Sequence, residues 1–384
     1  MNWKAKPLGS YIEVFDSCRR PVTKKDRVLG PYPYYGASGI VDYVDSYIFE
    51  GLHVLVAEDG ENLRSRKLPI AYLADGRFWV NNHAHVLRAN DENDTRFLSY
   101  MIESLDLSGF ITGSTQPKLS QAALLSIPLR LPKLAEQRRI AGVLGALDDK
   151  IESNRAQQRI GEQLLRAVIE GILGQFSEAD FISFDAYCTQ SKESVRPENI
   201  GNGDKYIALE HMPRGSVFLN SWETAKLAGI ASNKTRFRHG DLLFGKLRPY
   251  FKKVGVAPVS GVCSTDILVI RPRLPEFLPF IAVIASSDAL IDSISASATG
   301  TRMPRASWKE IATWPVPQIP DETLTVLLHP ANQLMAFLET LSLQNLKLAQ
   351  LRDALLPELM SGRMRVDEAG RLVSEALDEE VRSV

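Results

Sequence analysis

The chain has 384 residues, 45% of them hydrophobic, so it has the length and apolar content for two ordinary domains with cores of their own. Its formal net charge of -1 excludes the strongly basic class of nucleic-acid-binding protein that bulk charge alone identifies. The longest apolar run, Phe277–Ala285, is far shorter than the roughly 20 residues that cross a bilayer, and the first six residues carry no apolar signal segment. We therefore expect a soluble cytoplasmic protein.

Cysteine spacing and charge distribution narrow the class further. The three cysteines are scattered with no Cys-x-x-Cys spacing, so neither a disulfide framework nor a zinc site is expected. Basic residues cluster at positions 18–27 and again at 234–253, while acidic residues concentrate at 367–380. Because the basic residues are clustered, nucleic-acid binding is still possible although the net charge of the chain is close to zero.

Up to about Pro132, short β-like runs alternate with turn residues, which is typical of a mixed α+β domain. Pro31–Gly39 and Glu58–Asn62 have the composition of loops, and Thr95–Ser104 has the pattern of an amphipathic helix. The expected strands are Tyr43–Phe49, His53–Ala57, Leu68–Leu73, Phe78–Val80 and His85–Leu87.

The loop Gly113–Ser120 concentrates small hydroxyls, an amide and a lysine, and Gly300–Arg305 later carries two arginines at corresponding places. Both loops have the chemistry to hold a phosphate, although a plain loop before a capped helix is an equal alternative. Ser120 and Ser307 are expected to be helix N-caps, and Ser307–Glu310 has the sequence of a full capping box.

Leu134–Leu173 predicts one long helix, because apolar residues recur at alternating steps of four and three. At about 1.5 Å per residue, a helix of about 39 residues is roughly 58 Å long, which is too long for the interior of one small domain. We interpret this helix as a spacer. Its apolar seam consists of Ile140, Leu144, Leu147, Ile151, Leu165, Val168 and Ile172.

An offset of 187 residues maps this stretch onto a second one, with Leu147 on Leu334 and Ile151 on Leu338. The register continues upstream, where Gly113–Pro117 maps onto Gly300–Pro304. The chain is thus a duplicated unit in which a globular α+β domain precedes a long helix. Two apolar helix faces most simply bury each other as an antiparallel pair, which predicts an internal pseudo-twofold repeat.

The second helix is less regular than the first. Pro330 is expected to kink it or to mark its start, and Pro357 to bend its last turns, whereas the charged tail beyond Val366 is expected to be loosely ordered. The second domain should contain strands at Lys205–Leu209, Ser216–Leu219, Asp241–Phe244, Lys253–Ala257 and Ile267–Ile270. The predicted division is domains 1–132 and 177–319, spacer helices 133–176 and 320–364, and tail 365–384.

The sequence contains no catalytic signature. Gly245-Lys-Leu-Arg lacks the glycine spacing and the hydroxyl residue of a phosphate-binding loop, and there is no Asn-Pro-Pro-Tyr or Asp-Pro-Pro-Tyr motif of an adenine methyltransferase. His83 and His85 lie on one face of an expected strand, where a metal pair is the alternative to an ordinary polar or DNA-facing pair. We predict a non-catalytic binding protein without a metal site.

The paired long helices and the loops before them resemble the specificity subunit of type I restriction-modification systems, over nearly the whole chain. The resemblance implies two target-recognition domains that each read one half of a bipartite DNA sequence. It implies that the helices set the gap between the halves and dock two modification subunits. The residues that carry it are Gly113–Ser120, Ile127-Pro128, Leu131-Pro132, Glu136–Ala141, Leu147-Asp148, Asp241–Pro249, Gly261–Thr265 and Leu355–Gly362.

Cofactors are implied for the partners and not for this chain. In such systems the modification subunits hold S-adenosylmethionine and methylate adenine, and a restriction subunit uses ATP and Mg²⁺ for translocation and cleavage. The implied docking residues are Gln137, Ile140, Leu144, Leu147, Leu334 and Leu338. One departure is that Gln137-x-x-Ile140 becomes Leu324-x-x-Leu327 in the second helix, so the second docking surface is expected to differ.

Base reading requires polar or cationic side chains on loops that enter a groove, while other cations neutralise phosphates. In the first domain we predict phosphate contacts at Lys24, Lys25 and Arg27, base contacts at Tyr34, Tyr35, Ser38, Asn81, Asn82 and His83, and loop contacts at Thr115, Gln116 and Lys118. In the second domain we predict contacts at Lys246, Arg248, Tyr250, Thr265 and Arg302, supported by Lys252, Lys253 and Arg305.

Two other classes of protein stay open. A coiled-coil scaffold that binds no DNA fits the near-neutral charge. A stand-alone Mg²⁺-dependent nuclease fits a weak carboxylate set formed by Asp59 and Glu61 with Lys67. Neither class accounts for the 187-residue repeat as directly.

Overall fold

A computed structural model describes residues 5–176, 178, 180–297 and 304–382. The chain separates into two compact units, one made of Met1–Asp149 with Gln350–Glu379 and the other of Lys150–Ala349 with Glu380–Val384. The helices of the described residues are α1 (Asn62–Ser65), α2 (Thr95–Glu103), α3 (Gln121–Ser126), α4 (Leu134–Gln175), α5 (Leu278–Ala285), α6 (Asp288–Ser297), α7 (Trp308–Ala312), α8 (Asp321–Ser361) and α9 (Val366–Arg382).

The first unit contains two four-stranded sheets and one short strand pair. The strands are β1 (Lys6–Pro7), β2 (Ile12–Val14), β3 (Tyr32–Gly36), β4 (Gly39–Val44), β5 (Phe49–Glu50), β6 (His53–Ala57), β7 (Ala71–Ala74), β8 (Arg77–Val80), β9 (Ala84–Ala89) and β10 (Pro128–Leu129). The order β2-β9-β6-β7 is antiparallel throughout, the order β4-β3-β8-β5 has a parallel β3–β8 pairing, and β1 pairs with β10.

The second unit repeats this plan. Its strands are β11 (Phe181–Ser183), β12 (Cys188–Ser191), β13 (Ser194–Val195), β14 (Lys205–Ile207), β15 (Glu223–Thr224), β16 (Lys234–Phe237), β17 (Leu242–Gly245), β18 (Val254–Val256), β19 (Gly261–Cys263), β20 (Ile267–Pro272) and β21 (Pro315–Pro317). The antiparallel sheet has the order β12-β20-β17-β18, the second sheet β13-β16-β19-β14-β15 contains the parallel pair β14–β19, and β11 pairs with β21.

The predicted α+β repeat is therefore confirmed. In the first unit β9 lies second in the antiparallel sheet and pairs with β6. In the second unit β20 has the same place and pairs with β17. Both predicted N-caps are also present: the Ser120 hydroxyl accepts a hydrogen bond from the amide of Ala123, and Ser307 forms the reciprocal capping box with Glu310.

The long helices pair with each other within each unit. In the second unit the Asn154 side-chain amide donates to Gln344 over 3.3 Å, and in the first unit Arg352 pairs with Asp148 over 2.8 Å. Position 148 of α4 thus faces 352 of α8 while 154 faces 344, which is the predicted antiparallel order. The helix predicted from Leu134 begins there and extends two residues beyond its predicted end. Its seam side chains are buried, apart from the half-buried Val168, because the four-three spacing places them on one side of α4.

Gly161 brings α4 and α8 together at one point of the second unit. A Cβ added to it would lie 3.0 Å from Cδ1 and 3.1 Å from Cγ of Leu338, and closer still to Cδ2. Glycine is therefore required by the close approach of the two helices rather than by its backbone conformation. Relative to alanine, glycine at this position lowers the stability of the helix by about 1 kcal/mol.

We expect Gly161→Ala to destabilise the protein by about 1–3 kcal/mol, because overpacking outweighs the gain in helix propensity. Gly171→Ala is the matched control, since no described atom lies within 4 Å of a Cβ added there. Urea unfolding followed by circular dichroism measures both. The double variant Gly161→Ala with Leu338→Ala should lose less stability than the sum of the two single losses, because the two side chains meet. Equal effects at the two glycines would contradict this role of Gly161.

Four predictions of secondary structure were wrong. Pro31–Gly39 is not a loop: Tyr32–Gly36 forms β3, because it pairs with strands on both sides and buries Tyr34. Ser216–Leu219 is not a regular strand, because the positive φ of Gly215 turns the chain and only Phe218 bridges to Val256. The predicted strand Tyr43–Phe49 is split between β4 and β5.

The fourth correction concerns the charged tail, which is helical. Val366, Ala369 and Val373 are buried in α9, since the spacing of three and four residues aligns them on one side of the helix. Asp367 also forms an ion pair with Arg139. In the preceding helix, α8, Pro330 does not mark the start, which lies at Asp321.

No single helix among the described residues is long and apolar enough to cross a membrane. The bent pair Pro275–Ala285 and Asp288–Ala296 reaches the required length and apolarity only jointly. Phe280, Ile284 and Leu290 from this pair are buried in the core of the second unit.

Candidate nucleic-acid interface

In the first unit, three segments lie side by side. They are the end of β6, the turn from β8 to β9, and the end of the loop before α3. The amide of Glu58 donates to the carbonyl of His83 over 2.9 Å, and the amide of Leu119 donates to the carbonyl of Glu58 over 2.8 Å. Asp59 also forms a β-bridge with Lys118. We call this set the first frame: residues 58–59, 81–83 and 118–119.

The second unit contains the same arrangement of backbone hydrogen bonds. The amide of Lys246 donates to the carbonyl of Asp266 over 2.8 Å, and the amide of Ala306 donates to the carbonyl of Lys246 over 2.9 Å. Leu247 bridges to Arg305 as Asp59 bridges to Lys118. We call residues 246–247, 264–266 and 305–306 the second frame.

The two frames carry different side chains on one backbone plan. In the first frame Glu58 pairs with Lys118 over 3.2 Å, and Asp59 pairs with His83 over 2.9 Å. Burial raises the pKa of Glu58, but bonds from Arg19 and Lys118 more than offset it, so the pKa lies below its usual value.

The second frame has an excess of positive charge. Lys246 donates to the carbonyl of Thr265 over 2.6 Å, and Arg305 forms an ion pair with Asp266. Burial and the neighbouring Arg305 hold the pKa of Lys246 below its usual value. Arg248 is exposed and has a positive φ of 51°. Lys246 and Arg305 in the frame, together with the adjacent Arg248, thus outnumber the single carboxylate of Asp266, which favours an anionic ligand.

Several residues predicted to contact DNA in the first domain lie at the surface. His83 is exposed at the first frame, and the loop tip at Thr115 and Gln116 is exposed beside Lys118. The other exposed members of the predicted set are Lys24, Lys25, Ser38 and Asn82.

Three predicted members of that set have structural roles, so their assignment as contact residues is corrected. Tyr34 is fully buried, and its hydroxyl accepts a hydrogen bond from the amide of Val22 over 2.9 Å. Arg27 lies 4.3 Å from the Tyr34 ring centroid and pairs with Asp42 over 3.0 Å. Asn81 is buried and accepts from the amide of His83. A fourth member, Tyr35, is half-buried and packs edge-on against Phe78.

In the second domain, the predicted residues divide between the frame and its neighbourhood. Tyr250 and Thr265 are exposed, and Lys252 forms an ion pair with Asp288. Lys253 donates to the carbonyl of Leu209, and burial lowers its pKa. Arg302 lies outside the described residues.

The predicted docking residues are not available to a partner. Gln137, Ile140, Leu144, Leu147 and Leu338 are buried within the chain, and Leu334 is half-buried. Gln137 accepts from the amide of Asp94 over 2.9 Å and donates to Asn93 over 2.8 Å, so it fixes the connection into α2. The docking role that the resemblance implied for these residues therefore conflicts with their packing inside the chain.

A model of the type I restriction modification DNA specificity domain matches residues 1–160. A putative type I restriction enzyme specificity subunit from Haemophilus influenzae is 38% identical over 143 residues, which are 37% of this chain and 36% of that protein. The EcoDI specificity subunit from Escherichia coli is 22% identical over an alignment that covers 90% of this chain and 84% of that protein. The chain is thus similar to type I restriction enzyme specificity subunits, and the family model covers its first 160 residues.

The fold of this chain is also found in a solved structure. The type I restriction-modification S subunit from M. genitalium superposes with a TM-score of 0.60 at 16% identity, covering 94% of this chain and 96% of that one. At that identity the similarity shows the shared fold of the two chains.

Sequence reasoning missed the residues that hold the loop Gly113–Lys118 in place. Arg64 donates to the carbonyl of Ser114 over 3.0 Å and also to that of Gly113. Arg19 pairs with Glu58 over 2.7 Å and donates to the carbonyl of Ala84 over 2.9 Å. Both arginines are distant in sequence from the loop, and no local pattern identifies them.

A buried ionic cluster was also missed. One ligand atom each of Asp16, Glu58 and His85 lies within 4.8 Å of the others, which is a spacing that metal ligands also use. Arg19 and Lys118 approach the same carboxylates. We therefore assign the group as an ion-pair cluster. The alternation of His83 and His85 was the only sequence signal for it.

Proposed function

We propose that this chain is the DNA-recognition subunit of a type I restriction-modification complex in the cytoplasm, with each domain reading one half of a bipartite duplex sequence. The observation that carries the proposal is the duplicated frame: one backbone arrangement occurs in each unit with different side chains. A shared support with exchanged side chains is what two readers of different half-sites require.

Loop chemistry supports assigning base contacts to the frames. The exposed tip around Thr115 and Gln116 offers a hydroxyl and an amide, which can hydrogen-bond to base edges in a groove. Lys246 and Arg305 of the second frame, with the adjacent Arg248, supply cations for phosphates or guanine edges. The duplex is read by loops and strand ends, with no helix inserted in a groove.

The test is selection of duplexes from a random library by the chain reconstituted with its modification subunit. The proposal predicts a motif of two short invariant blocks at a fixed separation. The proposal would be contradicted if only a single block were enriched, or if no motif were enriched even at low salt. Mg²⁺-dependent cutting by the chain alone would instead favour the nuclease alternative.

The second frame should contribute directly to the salt dependence of binding. We expect Lys246→Met with Arg305→Met to reduce the slope of log affinity against log salt by about two, since each phosphate contact contributes about one. Lys347→Met, an exposed lysine on α8, is the control and should leave the slope unchanged. Fluorescence anisotropy at several salt concentrations measures the slope. An unchanged slope in the double variant would remove these residues from the interface.

Partners are proposed on the same basis: two modification subunits that hold S-adenosylmethionine, and restriction subunits that use ATP and Mg²⁺. We propose that a helix of a modification subunit docks on the outer face of α4. Ile160 is 67% exposed and Leu164 is 54% exposed there. They belong to an exposed stripe with four-three spacing, formed by Ser153, Gln157, Ile160, Leu164, Ala167 and Gly171.

Ile160→Asp with Leu164→Asp should weaken assembly with the modification subunit by roughly tenfold or more, because each apolar side chain contributes about 1.5 kcal/mol or more when buried. Folding should be retained, since both side chains are exposed in the chain itself. Arg155→Asp is the control, an exposed position on the same helix but off the stripe. Analytical ultracentrifugation measures assembly. Equal assembly of the wild type and both variants would place docking elsewhere.

A further inference from the structure

The loop Gly113–Lys118 is closed by backbone hydrogen bonds where its two ends meet. The amide of Thr112 donates to the carbonyl of Lys118 and the amide of Lys118 donates to that of Thr112, both over 2.8 Å. Gly113 has a positive φ of 83°, which permits the reversal of the chain. The position of the tip therefore depends on what holds residues 117–119.

His85 is one of the groups that hold this end of the loop. Its side chain is 1% exposed, and its Nε2 lies 2.8 Å from the carbonyl oxygen of Leu119. Its Nδ1 lies 2.6 Å from Oδ2 of Asp16. The two ring nitrogens of His85 thus lie within hydrogen-bond distance of two oxygens, one on the loop and one on Asp16.

Neighbouring side chains also hold Asp16 in place. Asp16 accepts a second bond from the amide of Val86 over 2.8 Å, so its carboxylate is fixed in place. Arg19 lies 3.4 Å from Asp16 and 2.7 Å from Glu58, and Lys118 pairs with Glu58. The two carboxylates thus lie beside two cations, Arg19 and Lys118.

The second domain provides an internal comparison. Strand registers pair Val56 with His85 in the first unit and Phe244 with Leu268 in the second, so Leu268 occupies the place of His85. Leu268 is buried in the apolar core, and Ala306 occupies the place of Leu119. The polar link from strand to loop is therefore particular to the first domain.

We propose that His85 is a positioning residue of the first domain, which links Asp16 to the carbonyl of Leu119 and so sets the loop Gly113–Lys118 for base reading. The loop placement follows from contacts within this chain, whereas its use in base reading rests on the proposed function. His85 does not itself reach the surface, so it acts through the loop.

Two substitutions of His85 test its two hydrogen bonds one at a time. In His85→Gln the side-chain amide can occupy the place of Nε2 and keep the bond to Leu119, whereas in His85→Asn it can occupy only the place of Nδ1 and keep the bond to Asp16. We expect amide hydrogen exchange at Lys118 and Leu119 in the full chain to be near the wild-type rate in the Gln variant and about tenfold faster in the Asn variant. Equal rates in the two variants would overturn the proposal.

Selection of duplexes by the reconstituted complex then tests base reading. We expect His85→Asn to lose about tenfold of the discrimination in the first half-site, with the second half-site unchanged as the internal control. If a variant with faster amide exchange in the loop still discriminated fully between bases of the first half-site, the role of His85 in base reading would be overturned. If the wild-type complex selects no bipartite motif, the proposed function fails, while the exchange result still decides the placement of the loop.

Discussion

Replacing Asp241 with alanine is expected to destabilise the second unit by about 3 kcal/mol, because it breaks a largely buried ion pair. The Asp241 side chain is 2% exposed and accepts both bonds of a bidentate contact from Arg271, over 2.8 and 2.7 Å. It also accepts from the amide of Arg238 over 2.8 Å. The hydrogen bond to Asp241 raises the pKa of Arg271. Since arginine is always protonated in proteins, the guanidinium stays charged in the variant and loses its partner.

The first unit supplies a matched control for this change. Arg88 occupies the place of Arg271 in the sheet and pairs with Glu13 over 2.7 Å, but these two side chains are 48% and 51% exposed. Glu13→Ala should therefore cost less than about 1 kcal/mol. Urea unfolding of the two variants gives the comparison. A similar loss of stability in both variants would show that burial does not decide how much each ion pair contributes.

Lengthening the paired helices is expected to lengthen the gap between the half-sites. One heptad inserted into α4 between Ile151 and Leu165, with one in the facing part of α8, adds about 10.5 Å of helix at about 1.5 Å per residue. At about 3.4 Å per base pair, the gap should grow by about three base pairs while both half-sites stay the same.

The seven-residue insertion preserves the apolar seam, which is why it is chosen. An insertion in α4 alone is the control and should impair folding, because it shifts Asn154 and Gly161 away from Gln344 and Leu338. Duplex selection by the reconstituted complex measures the gap. Changed bases within the half-sites would contradict the division of labour between domains and helices.

Sequence reasoning worked best where periodicity carries the information. The start of α4 at Leu134, the 187-residue repeat and the caps at Ser120 and Ser307 follow from local spacing. Each feature depends on residues near one another in sequence, or on a copy of the same pattern, so no knowledge of tertiary contacts was needed.

Errors arose where tertiary contacts decide the role of a residue. Tyr34 has the sequence context of an exposed loop, but pairing of β3 on both sides buries it. The docking role that the family resemblance implied for Ile140 and Leu144 of α4 conflicts with their burial within the chain. Glu58, Arg64 and His85 meet the loop from three distant segments. Such long-range contacts leave no local signal.

The most direct test of DNA recognition by two separate domains is to combine the purified chain with its modification subunit and S-adenosylmethionine, and to sequence genomic DNA for methylated adenine. We expect a bipartite motif with a fixed gap, in which exchange of the first domain for that of another specificity subunit changes one half only. A motif in which both halves change on that exchange, or the absence of any bipartite motif, would contradict it.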